Sequence, residues 1–161
     1  MTAPVLLFAI GNPSRGDDAL GPLLLDRLAD AASAAVERLT DFQLQIEHTL
    51  DLHQRRLVLF IDASVDRSAP LRLSRLRPAR ERAYTSHALA PAALLKLYRE
   101  VHGSPPPACF QLAIAGYGFE LGAPLSARAE SNLKRAEALT RQLLQHPERD
   151  DWLSRCQQSG G

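Results

Sequence analysis

Cysteine is scarce in this 161-residue chain: Cys109 and Cys156 are the whole supply. Two cysteines build neither a disulfide framework nor a cysteine zinc site. An excess of one charge is missing too. Nineteen basic residues stand against eighteen acidic ones, and a net charge of +1 argues against an electrostatic nucleic-acid binder. The N-terminal apolar run, Pro4 to Ile10, is short and has no basic residue before it. It cannot cross a bilayer and is wrongly flanked for a signal peptide. No internal repeat is visible, and an apolar content of 45% excludes disorder. The expectation is one globular domain, cytoplasmic, with neither membrane nor nucleic-acid partners.

The chain does contain an alternation of apolar runs and helical patterns. Val5 to Ile10 is unbroken apolar sequence stopped by Gly11-Asn12-Pro13, the pattern of a strand buried on both faces. Helical spacing extends from about Leu20 to Leu39, although Pro22 suits a helix interior poorly, so the regular helix is expected to begin only there. Phe42, Leu44 and Ile46 alternate with polar residues as a half-buried strand would. Leu57 to Ile61 is a second solid run, ending in Asp62-Ala63-Ser64. Leu71, Leu73 and Leu76 suggest another strand, Ala90 to Val101 a helix, and Cys109 to Ile114 a strand. Ser126 opens a last helix running to Gln145 as its cap. The domain is therefore placed at 1–146. Residues 147–161 are expected to form a polar, frayed tail that could be removed from Trp152 onward at little cost. Strands alternating with amphipathic helices imply a layered α/β domain with a largely parallel sheet, and ligands bind such sheets beyond the carboxyl ends of the strands.

That rule directs attention to the residues just after each apolar run. The first run leads into Gly11-Asn12-Pro13-Ser14-Arg15-Gly16-Asp17-Asp18-Ala19-Leu20-Gly21. Its glycines do not fit GxGxxG, and two carboxylates at a helix entrance would repel a phosphate. Asp17 or Asp18 can serve as the helix cap, and placing both in one turn lets one point elsewhere. Asp62 ends the strongest strand. His87 lies just before the Ala90 helix, and His48 beyond the Phe42 strand. Asp18, Asp62 and His87 form a mixed oxygen and nitrogen set suited to nickel, zinc, iron or manganese, and three ligands would leave positions open for water or substrate. His48 could join them, or simply end a strand. There is no GxSxG elbow and no HExxH helix, and neither cysteine is placed as an activated thiolate. Six arginines, Arg67, Arg72, Arg75, Arg77, Arg80 and Arg82, lie between Asp62 and His87. They read either as a solvated face or as a docking face for an acidic or C-terminal peptide.

Gly11-Asn12, Gly16-Asp17-Asp18 with Gly21, the strand ending in Asp62-Ala63, and Ser86-His87 with Leu94-Leu95 after them resemble the hydrogenase maturation protease family. The resemblance spans most of Val5 to about Leu144. It implies a three-layer α/β/α fold, phosphorylase/hydrolase-like. It also implies an aspartic-type endopeptidase that removes a C-terminal extension from the [NiFe]-hydrogenase large-subunit precursor. Nickel carried by that precursor would be the recognition element, with no organic cofactor. The family's metal-contacting residues fall on Asp18, Asp62 and His87, leaving Asp17 as a general base or a cap. Glu47 to Asp51 replaces a glycine- and threonine-containing turn common in the family, which places the chain nearer the branch serving NAD-reducing hydrogenases. Two other readings are a metal-dependent small-molecule hydrolase and a non-catalytic assembly chaperone. The oligomeric state is left open, with a monomer compatible.

Overall fold

The computed structural model describes residues 1–80 and 89–156. Five strands form one sheet in the order β2-β1-β3-β5-β4: β1 (Val5–Ile10), β2 (Val36–Asp41), β3 (Leu57–Ser64), β4 (Leu71–Leu76) and β5 (Ala108–Ala115). All pairs are parallel except β4 with β5. The helices are α1 (Leu20–Arg27), α2 (Thr49–Leu52), α3 (Pro91–His102), α4 (Ala127–Gln145) and α5 (Arg149–Arg155).

Alternation along β1 divides the core into two layers. Val5, Leu7 and Ala9 pack with Leu24 of α1 and Leu28 just after it, Leu133 and Ala136 of α4, and Trp152 of α5. Leu6, Phe8 and Ile10 face the other way, onto Leu52 of α2 and Leu94, Leu95 and Tyr98 of α3. Covered on both sides, β1 and the Leu57 to Ile61 part of β3 have no face for polar residues, hence their unbroken apolar sequence. The expected three-layer α/β/α arrangement is present. Among the described residues, no helix is long and apolar enough to cross a membrane.

Three expectations need correction. The helix predicted to run to Leu39 stops at Arg27, and the second strand is Val36–Asp41 rather than the Phe42 segment. Leu28 is the last large apolar residue that reaches the sheet. The small side chains after it bury little, so the chain turns back to pair Val36 with Val5. As an edge strand, β2 tolerates polar residues: Arg38 Nη1 donates to the Leu25 carbonyl at 2.6 Å, and Glu37 receives Arg55 at 2.8 Å. Phe42 and Ile46 are each 62% exposed. Pro22 sits inside α1 without penalty, because the first turn of a helix has no N–H to lose.

The third correction concerns the tail. Residues 149–155 form α5, and Trp152 is fully buried, edge-on to Phe110 at 5.3 Å between ring centroids. Its Nε1 donates to the Leu143 carbonyl at 2.9 Å. One aromatic anchor therefore ties the end of the described chain to the sheet, and removal from Trp152 onward would take out part of the core.

Candidate active site

From β1 the chain passes by α1 to β2 on one side, while β3 pairs with β1 on the other. The gap between the carboxyl ends of β1 and β3 is thus the place where strand order reverses, the usual ligand position in open α/β sheets. Asp62 lies at that edge, paired in register with Ile10 of β1 and Ala113 of β5. The glycine turn begins one residue after Ile10.

That turn is tightly closed. Gly11 has φ +153°, and a Cβ there would sit 2.1 Å from the Asp18 carbonyl oxygen. Gly16 has φ +53°, and its Cβ would meet the Gly118 carbonyl oxygen at 2.5 Å. Only glycine fits either position. The fold returns Asp18 to the turn, where its Oδ2 accepts the Asn12 N–H at 2.7 Å. Gly16–Ala19 forms a 3₁₀ turn, and α1 continues from it with Ala19 as N-cap and no side-chain cap bond.

Asp17 and Asp18, adjacent in sequence, have opposite fates. Asp17 is fully buried and accepts four hydrogen bonds: from the backbone N–H groups of Tyr117 (2.7 Å), Gly118 (3.2 Å) and Ser126 (2.8 Å), and from Ser126 Oγ (2.7 Å). Burial pushes its carboxyl up, but these donors together outweigh it and hold the group below the ordinary carboxylate range. A carboxylate committed in this way ties the loop after β5 and the start of α4 to the glycine turn. It is neither the expected cap of α1 nor a base with access to water. Ser126, in turn, caps α4 by accepting the Ala129 N–H at 3.2 Å, as its position in the sequence implied.

Asp18 and Asp62 lie near enough at the switch point for the charge of Asp18 to act on Asp62. Burial, followed by the charge of Asp18, pushes the Asp62 carboxyl from 3.8 up to about 7, while the Ala63 N–H opposes the shift. No basic side chain forms an ion pair with either acid among the described residues. His87 lies outside the described residues, and no group of three metal-ligating side chains converges among those that are described.

His48 reaches the same edge of the sheet, but both its ring nitrogens are engaged. Nδ1 accepts the Gln45 N–H at 2.8 Å, so Nε2 carries the proton and donates to Asp41 Oδ2 at 3.1 Å. Its ring packs edge-on against Phe8 at 4.8 Å. In this arrangement it braces the end of β2 and offers no lone pair to a metal. Cys109 is buried, and burial pushes its thiol up, consistent with no nucleophilic role.

Several large apolar side chains are exposed in the segments that follow strands. Phe42 comes just after β2, Ile46 lies in the turn before α2, Leu50 in α2 itself, Val65 just past β3 and Leu121 beyond β5, and all five are exposed. Every one of them belongs to a segment leaving the carboxyl end of a strand. Val101 of α3 and Leu153 of α5 are exposed as well, so exposed apolar residues are not confined to one end of the sheet.

No protein-family model matches the sequence, and no curated protein does. Solved structures do. The HybD hydrogenase maturating endopeptidase of E. coli superposes with a TM-score of 0.74 at 21% identity, covering 89% of this chain and 93% of its own. The HycI [NiFe] hydrogenase maturation protease of Thermococcus kodakarensis gives 0.70 at 21% identity, over 90% and 94%. A hydrogenase 2 maturation peptidase from a Thaumarchaeota archaeon gives 0.63 at 21% identity, over 88% and 97%. The fold is that of the hydrogenase maturation proteases. In this maturation-protease fold, the glycine turn and the end of β3 carry the two acids, and Asp17 ties the loop after β5 to that turn.

Proposed function

We propose that this chain is an endopeptidase of hydrogenase maturation. In this reading it works in the cytoplasm and removes a C-terminal extension from a [NiFe]-hydrogenase large-subunit precursor after nickel insertion. The observation that carries the reading is the Asp18–Asp62 pair, two interacting carboxylates at the switch point without a basic partner among the described residues. The likeness to HybD and HycI supports it. The Glu47–Asp51 segment favours the branch serving NAD-reducing hydrogenases.

Nickel here belongs to the substrate. Asp18 and Asp62, together with His87, engage the ion that the precursor's own ligands already hold, and this places the scissile peptide beside it. A cation between the two acids offsets their repulsion, so Asp62 releases its proton as the loaded precursor binds. A precursor without nickel lacks that offset and is cut poorly. The metal then polarises the peptide carbonyl or activates the attacking water. Because Asp62 exchanges its proton near neutrality, it is also suited to proton transfer within the site.

Asp18→Ala and His87→Ala are expected to lower processing of nickel-loaded precursor by at least about 100-fold, a loss typical of removing one member of a catalytic set. Circular dichroism and melting temperature should stay close to the parent. Normal processing by both variants at matched concentration overturns the assignment.

A further inference from the structure

Behind the anchored loop lies a second, chemically different concavity of about 220 Å³, lined in part by Arg67, Arg128 and Arg135. Three elements converge on it. The β3–β4 connection supplies Arg67, the loop after β5 supplies Tyr117, and α4 presents Arg128, Ser131, Asn132 and Arg135. Those four positions are spaced i, i+3, i+4 and i+7 and therefore share one face of the helix. Among the described residues, no carboxylate lines the cavity. The acids of this part of α4, Glu130 and Glu137, are drawn to Arg27 and Arg141 instead. Arg128 and Arg135 form no ion pair among the described residues.

The wall is already organised. Tyr117 has the Arg128 guanidinium over its ring at 4.4 Å and that of Arg67 at 5.3 Å. Arg67 Nε and Nη2 donate to the carbonyls of Gly116 (3.2 Å) and Tyr117 (3.1 Å), which fixes Arg67 in place. Asn132 Nδ2 donates to the Tyr117 hydroxyl at 3.1 Å, leaving the phenolic proton for another acceptor. Guanidinium forks, a serine hydroxyl and a phenol facing one cavity form a donor-rich set matched to a planar two-oxygen acceptor. The space corresponds to about seven waters at about 30 Å³ each, room for one acidic side chain or chain terminus.

We propose that this cavity is a subsite for a peptide carboxylate, either an acidic side chain or a free C-terminus. The backbone of Tyr117 links it to the acid pair: its N–H is bound by Asp17, next to Asp18, and its carbonyl by Arg67. A polypeptide lying across the site can therefore be held at both places. Which polypeptide supplies the carboxylate rests on the peptidase reading; the binding itself does not.

The test is fluorescence anisotropy with the full chain at fixed ionic strength, using three N-terminally labelled alanine tetrapeptides. One ends in a free carboxylate, one is amidated with a central glutamate, and one is amidated without it. At least one carboxylate-bearing peptide should bind about tenfold more tightly than the uncharged peptide, and which one does so identifies the source. Arg128→Gln with Arg135→Gln should abolish that preference without changing the melting temperature. Lys96→Gln with Arg99→Gln, an equal charge change on α3, should leave it intact. The proposal is overturned if the three peptides bind alike, if both double variants weaken binding equally, or if inorganic phosphate binds and no peptide does. Because no cleavage is read, loss of the peptidase reading would leave a positive result standing.

Discussion

Asp62→Asn should make the protein more stable at pH 8 than its parent, and the advantage should vanish toward pH 4. In the folded chain, burial and the Asp18 charge hold the Asp62 carboxyl near 7 rather than 3.8. Between those values the folded state binds a proton that the unfolded state has lost. Stability from this group is intact below about pH 4 and fades as pH rises through 7. A shift of about 3 pKa units corresponds to about 4 kcal/mol, and solvent near the half-buried side chain reduces this to about 2 kcal/mol. For a domain of this size that is a melting difference of about 4–8 °C. Asparagine keeps the shape and never ionises, so subtracting parent from variant melting temperatures at each pH cancels the titrating groups that do not interact with Asp62. Differential scanning fluorimetry from pH 4.5 to 8.5 gives the curve. A difference that is flat across this range, or that falls with rising pH, refutes the claim that Asp62 is forced to ionise next to another acid.

Trp152→Ala should destabilise the chain by about 3–5 kcal/mol, the usual cost of emptying a large aromatic site, as read by urea denaturation. Asp17→Asn replaces a charged acceptor of four donors and should cost about 2–3 kcal/mol, with increased protease sensitivity at the loop after β5. Gly16→Ala, strained in φ and facing the Gly118 carbonyl, should cost more than about 1 kcal/mol by the same denaturation assay. His48→Gln should weaken the end of β2 by about 1 kcal/mol in the same assay but leave processing of nickel-loaded precursor within about twofold of the parent.

Legibility in the sequence tracks the range over which each residue acts. Strands β1 and β3 are readable because burial on both faces leaves an unbroken apolar run, and the Ser126 cap because its partner is three residues away. Strand β2 is misplaced by local patterning because its polar residues are satisfied by Leu25 and Arg55, which lie outside the local window. The same holds for α5, a seven-residue helix whose stability rests on one tryptophan docked against β5. Asp18 and Asp62 are identified by their places after two strands, and the fold brings both to the switch point. Asp17 cannot be told apart from Asp18 in the sequence, because its donors are Tyr117, Gly118 and Ser126, about a hundred residues away. Of the arginine run, Arg67 lines the basic cavity, whereas Arg128 and Arg135 come from a helix face with no cue in that run.

The most direct measurement tracks the mass of purified large-subunit precursor during incubation with this protein, in nickel-loaded and nickel-free forms. The account predicts a discrete C-terminal loss from the loaded form and none from the nickel-free form. Equal cleavage of both forms, or stable binding of the loaded precursor with no change in mass, would contradict it.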